Sequence, residues 1–252
     1  MEKKQLLVSI VIPAYNAEKY IEKTIRSVLG QTYTNYEVII MDDCSSDKTY
    51  SIIQDLALED NRIKCYQNRE NQGVAITRNN AIARCTGEYI ALLDADDIWM
   101  ETKLEKQVKL LQETKAQITY CSYGFINEND TEILRPFIVP ATTNYKSMLG
   151  KSVISCSTAL IERQVFEKYK FEADVYHEDY VLWLKILKDQ MKAVGDSEVL
   201  AYYRLMEGTR SANKINSAIK RWQVYRKSMK MPFIKSAVAM IQYIINGLMK
   251  YN

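Results

Sequence analysis

Three carboxylates stand within four positions in "ALLDADDIW", residues 91–99, where Asp94, Asp96 and Asp97 close an apolar run. Charges gathered that closely repel one another, and a fold gains no stability from collecting them. One physical reading is a solvated turn in which Asp97 caps the following helix. The other is a set of hard oxygen ligands at a strand end for a divalent cation, completed by water and substrate phosphates. "IIMDDCSSD" has the same form: Asp42 and Asp43 can accept hydrogen bonds from a uracil imide or a ribose hydroxyl, while Ser45 or Ser46 is available as a helix cap. "NQGVAITRNNAI" sets Gly73 in a loop and Arg78 early in a helix, where a guanidinium fork at a pocket edge suits phosphate oxygens. "YHEDYVLWLKIL" puts His177, Glu178 and Asp179 at the start of an amphipathic helix. Acids in a first turn are ordinary partners of the helix dipole; facing a cleft, one of them can serve as a general base. His177 is the sole histidine, so no Ser-His-Asp or Cys-His arrangement exists without it.

The elements that must position these groups alternate in period. "VSIVIPAYN" is a β-branched apolar run ended by Pro13, and "AEKYIEKTIRSVLGQ" places Tyr20, Ile21, Ile25, Val28 and Leu29 on one helical face before Gly30. "YEVIIMDD", "RIKCYQN" and "EYIALLD" read as further strands, each followed by a helical pattern. Nearly continuous apolar strands alternating with helices predict an α/β fold with a mostly parallel, Rossmann-like sheet covered on both faces. Ligands of such sheets sit at the carboxyl ends of the strands. Tyr15 and Asn16, the Asp42–Asp43 pair and the Asp94–Asp97 group each fall at a predicted strand end, so three polar clusters are expected on one edge. After about residue 115 the pattern loosens into strands around the turn "NENDT", the helix "HEDYVLWLKILKDQ" and the strand "EVLAYYRL". Neither a GxGxxG nor a GxxxxGK[ST] pattern occurs, which removes sequence support for dinucleotide and P-loop phosphate binding.

The 252 residues suffice for one large domain, with 47% hydrophobic and 26% charged residues and a net charge of +3. Five scattered cysteines without a CxxC pair predict reduced thiols in a cytoplasmic protein and argue against zinc. From Gly208 onward there are nine Lys or Arg and no acid, leaving −6 on the first 207 residues. This tail, read as two helices divided near Pro232, has an apolar stretch, "SAVAMIQYIINGLM", shorter than a bilayer span. With its basic flanks and Trp222, Tyr225 and Tyr243 it can lie at a membrane surface. The alternative is packing against the body of the fold or between chains as a homo-oligomer.

Taken in order, "VSIVIPAYNAEKYIEKTIRSVLGQTYTNYEVIIMDDCSSDKT", "NQGVAITRNNAI", "GEYIALLDADDIW", "HEDYVLWLKIL" and "YYRLMEGTRSAN" resemble the inverting family 2 glycosyltransferases of GT-A fold, over nearly the whole chain. The closing segment resembles bacterial enzymes that build teichuronic acid or capsular polysaccharide. The resemblance implies a catalytic domain over 1–212, with a nucleotide-sugar-binding half at 1–115, an acceptor half at 116–212 and a helical tail at 213–252. It further implies a UDP-sugar donor, a glycan or lipid-linked acceptor, and Mn2+ or Mg2+ as cofactor. Pro13, Ala14 and Tyr15 would line the nucleobase pocket with Asp42 or Asp43, and Arg78 would lie near the uracil or diphosphate. Asp94 would approach the ribose or sugar, Asp96 would ligate the metal, Asp179 would be the base and Glu178 would orient the acceptor. Arg210 and Ser211, in a loop that closes over the donor, would touch phosphate. Relatives frequently carry a histidine where Met206 stands, which puts that loop's part in metal or phosphate binding in question.

Two rivals from other classes set the contrast. A phosphatase of the haloacid dehalogenase type needs Asp-x-Asp followed by Thr or Val, whereas Asp94 and Asp96 are followed by Asp97 and Ile98. A nucleic-acid-binding or scaffold protein would use the basic tail alone.

Overall fold

The computed structural model describes residues 6–206 and 214–249. Its first half realises the expected alternation: β1 (Val8–Ala14), α1 (Ile21–Leu29), β2 (Tyr36–Asp42), α2 (Thr49–Glu59), β3 (Ile63–Gln67), α3 (Val74–Ile82) and β4 (Tyr89–Leu92). There follow β5 (Ile98–Trp99), α4 (Lys103–Thr114), β6 (Ile118–Ile126), β7 (Glu132–Phe137), β8 (Thr142–Thr143), α5 (Tyr145–Gly150), β9 (Leu160–Glu162), α6 (Val165–Lys168), α7 (Glu178–Lys188) and β10 (Ala193–Arg204). The tail forms α8 (Lys214–Gln223), a π turn over Val224–Ser228, and α9 (Phe233–Met249).

One sheet runs β3-β2-β1-β4-β9-β6-β10-β5, with β7 beside β6 and β8 beside β10. It is parallel through β3, β2, β1 and β4 and again between β6 and β10. The sheet is mixed rather than mostly parallel: β9 lies antiparallel between β4 and β6 and joins the two parallel parts, and β5, β7 and β8 also pair antiparallel. Every residue of β1 and β2 is buried, as a sheet with helices on both faces requires. The period-two alternation then divides the core. Val11, Ile39, Ile90 and Leu92 meet Ala81 of α3 and Trp183 of α7, while Ile10, Ile12, Val38 and Ile40 meet Ile25 of α1, Ile53 of α2 and Leu104 of α4.

Proline cannot donate to a ladder, yet Pro13 lies in a central strand. Pairing of β1 with β4 stops at Val11↔Leu92, while pairing with β2 continues through Pro13↔Met41 to Ala14↔Asp42. Pro13 therefore stands where β4 has already turned away, and a crevice opens between the ends of β1 and β4. Such a divergence is where α/β sheets bind ligands.

Two expected helix caps are not used. Ser45 donates its hydroxyl to Asp42 at 2.5 Å and accepts the Asn16 N–H, and the Ser46 N–H donates to Asn16 Oδ1. These serines tie the end of β2 to the end of β1, and α2 starts only at Thr49. Asp97 lies six residues before α4 and is wholly buried. In the tail, Tyr225 is also buried and its hydroxyl donates to the Leu149 carbonyl, so it cannot face a membrane as the sequence suggested. Trp222 meets Phe233 edge-on at 5.5 Å, and Tyr243 stacks 4.8 Å from the Arg221 guanidinium.

Candidate active site

At the carboxyl ends of β1, β2 and β4 lies a cavity of about 810 Å³, within the range of small-molecule sites. Pro13, Ala14, Tyr15, Asp43, Arg78, Asp94, Asp96, Glu178 and Asp179 all line it. Segments as far apart in sequence as Pro13 and Asp179 therefore share one cleft. Left-handed backbone at Asn16 (φ 47°) and His177 (φ 55°), both lining residues, turns the chain sharply at two of its walls.

The neighbouring aspartates of the forties separate. Asp42, the last residue of β2, turns its carboxylate into the protein, where Ser45 and Gln67 donate to it; it does not line the cavity. Asp43 does. Burial works to raise its pKa, but donors from Gln72, Asn68, Thr77 and Gly73 outweigh this and hold the carboxyl below its usual range. The N–H groups of Gln72 and Gly73 reach it at 2.9 and 2.8 Å, and Gly73 has φ 82°, a conformation that favours glycine. Asp43 thus fixes the 72–73 loop while standing at the cavity wall beside Tyr15.

Arg78 is 5% exposed and braces the far side. Its guanidinium donates to Asp94 Oδ1 at 2.5 Å and to Glu178 Oε1 at 2.8 Å, joining the end of β4 to the start of α7. In this state both terminal nitrogens serve carboxylates, so Arg78 organises the cleft rather than presenting an open fork to phosphate. Asp96 is pushed up to about 6, by burial first and then by the Asp94 charge. A carboxylate in that position gains from a cation. Among the described residues no three His, Cys, Asp or Glu form a ready-made metal cage. Asp96, with Asp94 beside it, would offer carboxylate oxygens that suit Mn2+ or Mg2+, ions that take most of their ligands from water and phosphate.

Asp97 has a different task. Ser157 donates to its Oδ2 at 2.5 Å and the Arg204 N–H to its Oδ1 at 2.9 Å. The side chain of Arg204, fully buried, donates to the Asp96 carbonyl at 2.8 Å and the Asn127 carbonyl at 2.7 Å, and pairs with Asp130. Arg204 therefore holds the 94–97 turn in place from the end of β10. Sequence reasoning missed it; its one signal was a lone cation closing the apolar and aromatic run after Glu198 in "EVLAYYRL".

Asp179 is pushed up to about 6, chiefly by burial and then by Glu178. Its Oδ1 accepts the Tyr180 N–H at 2.7 Å. A carboxylate with that pKa is ionised near neutrality and still basic enough to take a proton. Tyr203, Met206 and Lys220 also line the cavity, and none was singled out as a cleft residue by local spacing. Arg210 and Ser211 lie outside the described residues.

A parallel first half, an antiparallel strand set into the sheet and a carboxylate-lined cleft at the strand ends are the arrangement expected of a GT-A glycosyltransferase. Residues 9–170 match glycosyl transferase family 2, and the chain belongs to that family. It is 36% identical over 244 residues to TuaG of Bacillus subtilis (strain 168), named for teichuronic acid biosynthesis, covering 97% of each chain. It is 37% identical over 241 residues, 95% of this chain and 91% of the other, to WfgD of Escherichia coli. That protein is named UDP-Glc:alpha-D-GlcNAc-diphosphoundecaprenol beta-1,3-glucosyltransferase. Among solved structures, S. aureus TarS with UDP-GlcNAc superposes with a TM-score of 0.75 at 19% identity, covering 94% of this chain and 71% of that one. The mannosyltransferase PcManGT of Pyrobaculum calidifontis, in complex with GDP-Man and Mn2+, gives a TM-score of 0.73 at 20% identity over 94% and 68%. The chain is a family 2 glycosyltransferase with the GT-A fold.

Proposed function

We propose that the chain transfers a sugar from a UDP-sugar, with inversion and with help from Mn2+ or Mg2+, to a cell-surface polysaccharide or lipid-linked glycan acceptor. The observation that carries this reading is the gathering of Asp43, Asp94, Asp96 and Asp179 around one cavity large enough for a sugar nucleotide. Residues 1–115 contribute the donor side: the nucleobase lies against Pro13, Ala14 and Tyr15 with Asp43, and the ribose or sugar near Asp94. Asp96, with Asp94 beside it, would hold the divalent cation, whose chemistry is to neutralise charge on the departing diphosphate. Residues 116–212 contribute the acceptor side. Asp179 takes the proton of the acceptor hydroxyl, whose oxygen bonds to the anomeric carbon from the face opposite UDP. The bond from that carbon to the diphosphate breaks, and its electron pair leaves with UDP. Glu178, anchored by Arg78, orients the acceptor. Support for a diphospholipid-linked acceptor is the activity for which WfgD is named.

The reading is tested by UDP release. Incubated with a panel of UDP-sugars and Mn2+, the protein should release UDP slowly from one of them, and faster when a diphospholipid-linked GlcNAc is added. Release from none, or release of inorganic phosphate from simple esters instead, would refute it.

The same reading sets the enzyme in the cytoplasm at the inner face of the cell membrane. Among the described residues no helix is long and apolar enough to cross a membrane. On α9, however, Phe233, Ile234, Val238, Ile241 and Ile245 are exposed at helical spacing, 49–77% accessible, and no acid occurs after Glu207. Such a face, flanked by exposed Arg226, Lys227, Lys230 and Lys235, suits an anionic lipid surface. The protein should sediment with vesicles containing phosphatidylglycerol, less so at high salt, and Ile234→Glu with Ile241→Glu should abolish this. Absence of vesicle binding, with a dimer that the same substitutions dissolve, would assign the face to chain association.

A further inference from the structure

We propose that Lys220, on helix α8 of the tail, binds the phosphate adjoining the acceptor sugar, which makes the cleft selective for acceptors carried on a diphosphate. This inference rests on the glycosyltransferase reading above. Its starting point is charge. Five carboxylates line the cavity, and the cations lining it are Arg78 and Lys220. Arg78 is committed to Asp94 and Glu178. Lys220 is half-buried, and among the described residues its ammonium has the face of Tyr176 as its contact, 5.1 Å from the ring centroid, with no carboxylate paired to it. A cation left without an acid in an acid-lined cleft is poised for an anion brought by a ligand.

The fold decides which ligand. The next residue, Arg221, is 93% buried and stacks 3.5 Å from the ring of Tyr180, the residue after Asp179. Arg221 also stacks on Tyr243 of α9, so α8 is clamped between α7 and α9. Lys220 is thereby held against 176–180, the segment that carries Asp179. The nucleobase side, at Pro13–Tyr15 and Asp43, belongs to other elements. An acceptor whose hydroxyl reaches Asp179 must pass this segment, and a phosphate on that acceptor meets Lys220. Ile219, its other neighbour on α8, is exposed on the surface. One helix therefore presents an apolar residue outward and a cation to the cleft, as a lipid diphosphate entering from a membrane surface requires.

Calorimetry separates this role from donor binding. With the chain saturated by UDP and Mn2+, geranyl diphosphate is titrated into wild type, Lys220→Gln and Lys220→Arg; geraniol, without phosphates, measures the contribution of the isoprenyl chain. Lys220→Gln should bind geranyl diphosphate about tenfold more weakly, Lys220→Arg should recover most of the affinity, and UDP and geraniol affinities should not change. Equal diphosphate affinity in wild type and Lys220→Gln, or no wild-type binding, overturns the assignment. A loss of UDP affinity in Lys220→Gln also overturns it by moving the residue to the donor. Failure of UDP to bind the wild type would instead remove the parent reading, and this assignment with it.

Discussion

Asp179→Asn should lower the rate of sugar transfer by about 10²–10⁴-fold, the range that a positioned general base supplies, while UDP and Mn2+ bind as in the wild type. The asparagine keeps the shape and the acceptor atom that receives the Tyr180 N–H, so the fold has no reason to change. What it loses is the ability to take a proton. The pH profile carries the same information. With its carboxyl pushed up to about 6, Asp179 is ionised above that pH and protonated below it. At saturating Mn2+, kcat/KM should therefore fall about tenfold per unit as pH drops below about 6. Stability moves in the opposite direction. The fold prefers the neutral carboxyl, so ionisation lowers stability as pH rises from its ordinary value near 3.8 through about 6. Asp179→Asn should accordingly raise Tm at pH 7.5 by several degrees, on the order of 3 kcal/mol, and the gain should vanish near pH 3.5. A variant that turns over normally would eliminate Asp179 as the base.

Asp96→Ala should remove most of the metal's help to UDP binding. Outer-sphere partners alone are worth roughly 10–100-fold in metal affinity, so loss of a direct ligand should cost at least about 100-fold. Burial and the Asp94 charge make ionised Asp96 costly, a cost that a bound divalent cation would relieve. The alanine should consequently be at least as stable as the wild type in the absence of metal. Metal-assisted UDP affinity that survives the substitution would take Asp96 out of the metal shell.

Much of this site was legible because strand ends are legible. β-branched runs closing on Pro13, on the forties aspartates and on the nineties aspartates announced three polar clusters on one edge, and helix periodicity located Glu178 and Asp179. The division of labour within each cluster was not. Asp42 and Asp43 are adjacent and chemically identical; Gln67 of β3 and Ser45 hold Asp42 inside the protein, while Asn68, Gln72 and Gly73 hold Asp43 at the cavity wall. Asp96 and Asp97 differ in the same manner, since Arg204 and Ser157 arrive from 107 and 60 residues away. The two acid partners of Arg78 lie 16 and 100 residues distant, beyond what local spacing can show. Lys220 and Arg204 have no local spacing at all; their roles arise from which helix or strand end packs beside the cleft.

The central claim is that these carboxylates form a metal-assisted sugar-nucleotide site. Its most direct test is a calorimetric titration of the wild-type chain with UDP, in the presence and absence of Mn2+. The account predicts one UDP per chain, bound at least about tenfold more tightly with the metal. No binding in either condition, or equal binding in both, would contradict it.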